Sequence, residues 1–409
     1  MPATVAQRVH GLLLAAATAA VFAAWAPGLG PAPAYDSDVA VPLLAAYGEG
    51  QGALLLYYPA QDQLGGWPTL IARALTPVVG EWSAHRLHLL LLAIVLSAVF
   101  PVARLGGPLA GLAFLASCAW PPSVATNLSF FAPYGAQLAT LFWAWWAMRR
   151  AADRWSRGWL VVASVFAILS CWSSPTSGPL LALVAGAELL RVYLVRRGTR
   201  ADQAPLIVGS ALGSGASFAI MVAVDHVRLN FYLARYLTPG VLLAGIAAWT
   251  GAGLAVSIVM RNAWPTAIEG FALAAAAVAL CVPRAHTDVP DQTRAAAQAQ
   301  ALAAAAPGSV LLADYWTTYA LAALVRRGEL QPLSPEGDVV RFPSVRAALA
   351  RASTVVVGSE GPLLRPPGSP AAAEQLCQYG VRLVLVRPDL GAPGPQRFAL
   401  YAPAGSCVR

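Results

Sequence analysis

Apolar positions in this chain come in long unbroken runs rather than in the short alternations of a soluble domain. The runs are Gly11–Leu29, Leu87–Ala103, Leu105–Trp120, Tyr134–Met148, Trp159–Trp172, Pro179–Leu194, Ala204–Val224, Pro239–Met260 and Ala263–Val282. Runs of this length read as membrane-spanning helices. Polar, proline-rich breaks such as Trp120-Pro121-Pro122-Ser123 and Ser173-Ser174-Pro175-Thr176-Ser177-Gly178 read as tight turns or broken helices. The pattern predicts a polytopic α-helical membrane protein with about nine transmembrane helices. Arg8 before the first run gives it a signal-peptide look, but Pro31-Ala32-Pro33-Ala34-Tyr35 is a poor cleavage site, so this run is read as a span.

After Val282 the pattern changes. Gln292–Ala306 is Ala/Gln-rich and predicted helical. Short β-rich runs at Ser309–Ala313, Thr354–Val357 and Arg382–Val386 alternate with helical stretches at Tyr315–Arg326, Ser344–Ala352 and Pro370–Tyr379. Alternation of this kind predicts a small α/β domain with a largely parallel sheet. The domains expected are therefore 1–282, a transmembrane domain with a large first outer loop at 30–86, and 283–409, an extracytoplasmic α/β domain. The loop holds two amphipathic stretches, Val39–Tyr47 and Trp67–Val79, as expected of a surface lying on a membrane.

Arginine placement orients the helices. Arg8, Arg104, Arg149, Arg150, Arg154, Arg157, Arg191, Arg196, Arg197, Arg200 and Arg261 fall on one side, and only Arg73, Arg86, Arg228 and Arg235 on the other. Eleven against four puts the N-terminus inside and the C-terminal domain outside. Composition agrees with lipid as solvent: 58% of the 409 residues are apolar and 11% charged, less than half the soluble norm. All 27 basic residues are Arg, which with the abundant Ala, Gly and Pro suggests a GC-rich bacterial genome and hence a bacterial inner membrane. The net charge of +8 is spread without a basic block, so no nucleic-acid partner is expected. There is no Walker, GxGxxG or zinc-ligand spacing, and neither a cofactor nor a metal is implied.

Two carboxylates, Asp36 and Asp38, follow the first apolar run by a few residues. Acids beside lipid are costly and therefore candidates for function. By spacing alone, a cap for the stretch that follows it is the favoured reading of Asp38. Asp314 after a predicted strand is likewise read as a helix cap. Cys377 and Cys407 share the outer domain, where a disulfide is expected.

The stretch Tyr35-Asp36-Ser37-Asp38-Val39-Ala40-Val41-Pro42-Leu43-Leu44-Ala45, followed by Leu56-Tyr57-Tyr58-Pro59-Ala60-Gln61-Asp62-Gln63-Leu64-Gly65-Gly66, resembles the first outer loop of the GT-C glycosyltransferases. The bacterial branch near protein O-mannosyltransferases and aminoarabinose transferases is the most similar. Arg235-Tyr236-Leu237-Thr238-Pro239 resembles that group's R-Y-x-x-P element, and Asp314-Tyr315-Trp316 resembles an element of related members.

The resemblance implies an inverting glycosyltransferase. It would move a sugar from a polyprenyl-phosphate donor in the lipid bilayer to an extracytoplasmic acceptor. Asp36 or Asp38 would act as the base, with no choice made between them. Tyr58, Gln61, Asp62, Arg86, Arg228, Arg235 and Tyr236 would bind substrate, the arginines because a guanidinium fork suits phosphate oxygens. The alternative function is a non-catalytic membrane assembly factor presenting the outer domain to a cell-envelope complex. A transporter is disfavoured, because the outer charges do not sit at mid-membrane in paired broken helices.

Overall fold

The computed structural model describes residues 3–28, 37–47, 57–58, 61–119, 133–174, 176–196, 204–223, 239–248, 250–251, 290–326, 328–335, 343–358, 373–394 and 396–407. The chain divides into two compact units. One comprises Met1–Leu29, Gln63–Gly65 and His88–Ala285; the other comprises Gly30–Asp62, Gly66–Leu87 and His286–Arg409.

The first unit is helical: α1 (Ala3–Gly28), then α4 (Ala84–Ser97, from His88 onward), α5 (Val99–Gly106), α6 (Pro108–Ala119), α7 (Pro133–Arg154), α8 (Arg157–Ser173), α9 (Ser177–Arg196), α10 (Ala204–Ala223) and α11 (Pro239–Ala248). The expected nine crossings are not what the structure holds. Among the described residues, two helical segments, Arg86–Gly106 and Ser177–Val195, are long and apolar enough to cross a membrane. Two of the apolar runs are interrupted. Gly107, at φ +86°, and Pro108 end one helix and start another inside the run Leu105–Trp120. The described part of α6, 12 residues, covers about 18 Å. In α7, Arg149, Arg150, Asp153 and Arg154 occupy the last turns and cut the apolar part short. The run Ala263–Val282 lies outside the described residues.

The core of this unit is apolar, with Leu91, Phe114, Leu115, Phe142 and Trp145 fully buried, but two of its helices turn small residues inward and large apolar ones outward. Helix α8 buries Ala163, Ser170 and Ser173 and exposes Leu160, Val161, Val165 and Ile168, the last at 64%. Helix α10 buries Ser210, Ser214 and Ser217 and exposes Val208 and Leu212. Small residues at these buried positions let the helix backbones approach closely. Gly209 of α10 shows the tolerance: a Cβ there would lie 2.7 Å from the Trp145 ring of α7.

The second unit joins the first loop to the C-terminal region. It contains α2 (Ser37–Tyr47), α3 (Trp67–Val79), the short strand β1 (Tyr57–Tyr58), α12 (Pro290–Ala305), α13 (Tyr315–Ala322), α14 (Pro343–Ala348) and a six-stranded sheet. Strand β1 forms a two-stranded sheet with β2 (Gln61–Gly65). In the large sheet, β3 (Ser309–Leu312) lies parallel between β4 (Leu330–Leu333) and β5 (Val355–Gly358). Both β3 and β5 are buried along their full length, as parallel strands covered on both faces are. The other half departs from the expected parallel sheet. β8 (Phe398–Ser406) pairs antiparallel with β5 and with β7 (Val381–Arg387), and β7 pairs antiparallel with β6 (Gln375–Gln378).

Gln375–Gln378 also corrects the helix expected at Pro370–Tyr379. The local cause is Tyr379-Gly380, both at positive φ, a two-residue turn that matches strand twist and closes a hairpin. The Tyr379 hydroxyl donates to the Ser334 carbonyl, and the Arg346 guanidinium lies 4.6 Å from its ring centre. The expected bridge is present: Cys377 and Cys407 form a disulfide, with Cα atoms 6.0 Å apart.

Candidate functional site

A cleft of about 1040 Å³ opens within the second unit, large enough for a drug-sized or larger ligand. Its walls come from α2 (Leu43, Ala46), from α3 and the turn after it (Arg73, Thr76, Pro77, Glu81, Trp82, Ser83), from α12 (Gln300, Ala303, Ala304) and from the segment after α13 (Ala323–Arg326 and Glu329).

Local sequence explains each wall. Helix α3 starts with Trp67-Pro68, a proline where the first turn needs no N–H donor, and Thr69 Oγ1 donates to the Gly66 carbonyl. It ends at Gly80, φ +77°, whose N–H donates to Thr76 O, a left-handed glycine stop. Trp82 then folds inward, 4% exposed, with its Nε1 donating to Thr76 Oγ1 at 3.0 Å. Ser83 caps α4 by accepting the Arg86 N–H at 3.2 Å. On the opposite wall, Glu329 Oε2 accepts the Arg326 N–H at 3.1 Å and closes the 326–329 turn.

The polar lining is mixed, with guanidinium groups from Arg73 and Arg326 and carboxylates from Glu81 and Glu329. Arg73 differs from the others. Its Nη1 is buried with no hydrogen-bond partner, a costly state for a charged donor unless a ligand or water meets it. A cationic fork on a partly apolar wall suits an amphipathic anion. Among the described residues no cluster of His, Cys, Asp and Glu could hold a metal ion.

The residues expected from sequence fall as follows. Asp38 is the second residue of α2, whose later residues Leu43 and Ala46 line the cleft; at 1.5 Å per residue these lie about 7.5 and 12 Å farther along the axis. Tyr58 is in β1, and Gln61 and Asp62 are in β2. Asp36, Arg228, Arg235 and Tyr236 lie outside the described residues. Arg86 is exposed, and its Nη1 donates to the Val79 carbonyl at 3.0 Å and to the Glu81 carbonyl. Its guanidinium thus ties down the end of α3 and is not part of the cleft lining. Asp314 caps α13, its Oδ1 accepting the Thr317 N–H at 3.2 Å.

Arg73 and Arg326 are the two cleft cations among the described residues, and the sequence reading assigned neither a binding role. For Arg73 a signal was available: it is the one charge in the otherwise apolar or hydroxyl-bearing stretch Trp67–Val79. Arg326 carried none, because only the fold brings the 323–329 turn opposite α3.

The helical unit holds a second polar cluster of different character. Glu188 Oε1 accepts from Trp145 Nε1 at 2.7 Å and from Arg149 Nε at 2.9 Å, while Oε2 accepts from Arg191 Nε at 2.6 Å. Arg191 also reaches Asp153 at 2.6 Å, and Arg149 donates to the Leu105 carbonyl. Two guanidinium groups meet two carboxylates, so the cluster is neutral and internally satisfied. It ties α5, α7 and α9 together.

Comparison with protein-family models, with characterised proteins and with solved structures found no match.

Proposed function

We propose that this protein is a membrane-bound glycosyltransferase of the bacterial cell envelope. It takes a sugar from a polyprenyl-phosphate donor and passes it to an extracytoplasmic acceptor at the cleft of the second unit. The observation that carries the reading is Arg73 Nη1, buried and unpartnered in a cleft walled by the same helix, α2, that begins with Ser37-Asp38. In this reading Arg73 and Arg326 receive the donor phosphate and stabilise the charge left on it when the glycosidic bond breaks. Asp36 or Asp38 takes the acceptor proton. Tyr58, Gln61 and Asp62 lie on the same loop for sugar contacts, and Arg228, Arg235 and Tyr236 remain donor-binding candidates from the resemblance.

Two further features support the reading. The apolar exteriors of α8 and α10 suit lipid, the solvent in which a polyprenyl donor lives. The Cys377–Cys407 bridge suits an oxidising, extracytoplasmic compartment for the second unit. The proposal does not depend on nine crossings.

The competing reading, an assembly factor without catalysis, draws on the equal numbers of guanidinium and carboxylate groups in the cleft. Binding separates the two. Native mass spectrometry of the purified protein with a polyprenyl phosphate should show a complex that Arg73→Ala weakens tenfold or more, while Arg86→Ala changes it little. Equal binding by wild type and Arg73→Ala would remove the cleft from the mechanism.

A further inference from the structure

Five aromatic rings of the helical unit pack into one continuous cluster. Phe100 of α5 stacks on Trp143 at 5.6 Å and meets Trp146 edge-on at 5.4 Å. Trp143 stacks on Phe166 of α8 at 5.5 Å, and Trp146 meets Trp159 at 4.9 Å. The tryptophans at 143, 145 and 146 divide. Trp145 turns inward to Glu188, while the other two join this partly exposed cluster.

Cations finish the cluster at one end. Arg104 lies 5.1 Å from the Phe100 ring centre and Arg150 lies 5.8 Å from that of Trp146, each four residues after the ring it covers. The bond from Arg149 to the Leu105 carbonyl places residues 104 and 150 at the same level. Arg154 and Arg157 flank the α7–α8 turn just beyond. Between them Trp155 stands 82% exposed at φ +47°. An indole so exposed on a backbone strained for a non-glycine residue is costly in water and suits a bilayer interface. Among the described residues none of Arg104, Arg150, Arg154 and Arg157 pairs with a carboxylate, and Arg150 Nε is buried without a hydrogen-bond partner. The nearby acids Glu188 and Asp153 are already taken by Arg149 and Arg191.

We infer that this arginine-crowned aromatic cluster is a docking site for the anionic headgroup of a bilayer phospholipid. The lipid phosphate lies against Arg104 and Arg150, Trp155 sits at the headgroup level, and the acyl chains run along Leu160, Val161, Val165 and Ile168 of α8. The occupant follows from charge and polarity together. Unneutralised guanidinium groups select an anion, and the apolar face continuing from them selects one carrying hydrocarbon. The inference rests on the proposed membrane location but not on the transferase reaction.

The test uses the full chain reconstituted in vesicles of equal phosphatidylglycerol and phosphatidylcholine. The protein is then extracted in mild detergent and its retained lipid quantified. Wild type should retain phosphatidylglycerol in excess over the bulk ratio. Each basic side chain at an anionic surface contributes a preference of about fivefold, so Arg104→Gln/Arg150→Gln should lower the enrichment about tenfold or more. Arg104→Lys/Arg150→Lys should keep most of it, which guards against misfolding as the cause. Equal enrichment in wild type and the Gln variant overturns the site, as does release of the retained lipid by millimolar inorganic phosphate, which would make it a free-anion site. A chain that enters neither the mixed vesicles nor pure phosphatidylcholine overturns the membrane location and this inference with it. Entry into both without phosphatidylglycerol enrichment overturns the inference alone.

Discussion

Glu188 holds an indole and two guanidinium groups at once, at distances of 2.6 to 2.9 Å. Glu188→Gln keeps the shape but leaves the buried Arg149 without a carboxylate, while Arg191 keeps Asp153. Breaking a buried pair this way costs about 3–5 kcal/mol, and thermal unfolding in detergent should show a lowered midpoint with wild-type expression sacrificed. Arg73 should behave in the opposite way. Its Nη1 satisfies no protein acceptor, so Arg73→Met removes an orphaned donor and the midpoint should stay the same or rise, while polyprenyl-phosphate binding is lost. A large fall in the midpoint of Arg73→Met would mean that Arg73 is structural. Single residues were unevenly legible from sequence. Asp314 as a cap followed from its place after an apolar run. Arg86 did not reveal its role, because its acceptors at Val79 and Glu81 exist only once Gly80 has turned the chain.

The strands β3, β5 and β7 were legible because each is a compact apolar or β-branched run. β6 and β8 were not. The former follows an Ala-rich stretch of helical composition, and the latter, Phe398–Ser406, contains Pro403 and Gly405, which read as loop residues. Their pairing is set by the Tyr379-Gly380 turn and pinned by the Cys377–Cys407 bridge, which spans 30 residues. In the chain-entropy treatment a loop of that size stabilises by about 3.5 kcal/mol. Reduction should therefore lower the denaturant midpoint of the second unit, and Cys377→Ser/Cys407→Ser should reproduce the shift. Free alkylation of both thiols in unreduced, denatured protein would contradict the bridge. The apolar runs located helices well but overcounted crossings. Hydropathy does not see that Gly107-Pro108 divides one run, or that the charges at the end of α7 shorten another.

Taken whole, the chain associates its first loop with its C-terminal region in one unit and its apolar helices in another. That grouping is long-range, so no local pattern announces it, yet it is what brings α2 and α3 to the cleft. The orientation remains the one the arginines propose: a reporter fused after Arg409 should be active only outside the inner membrane and one inserted at the α7–α8 turn only inside. The reverse result would put the cleft on the wrong side for an extracytoplasmic acceptor. The transferase reading itself is best judged by mass spectrometry of polyprenyl-linked sugars and envelope glycans in cells carrying either wild type or Asp36→Asn/Asp38→Asn. General-base loss typically costs ~10²–10⁴ in rate, whereas loss of a helix cap costs only about 1 kcal/mol of stability. The double variant, present at normal levels in the membrane, should therefore accumulate the lipid-linked donor and lose one glycan product. Unchanged donor and glycan profiles in that variant would contradict it.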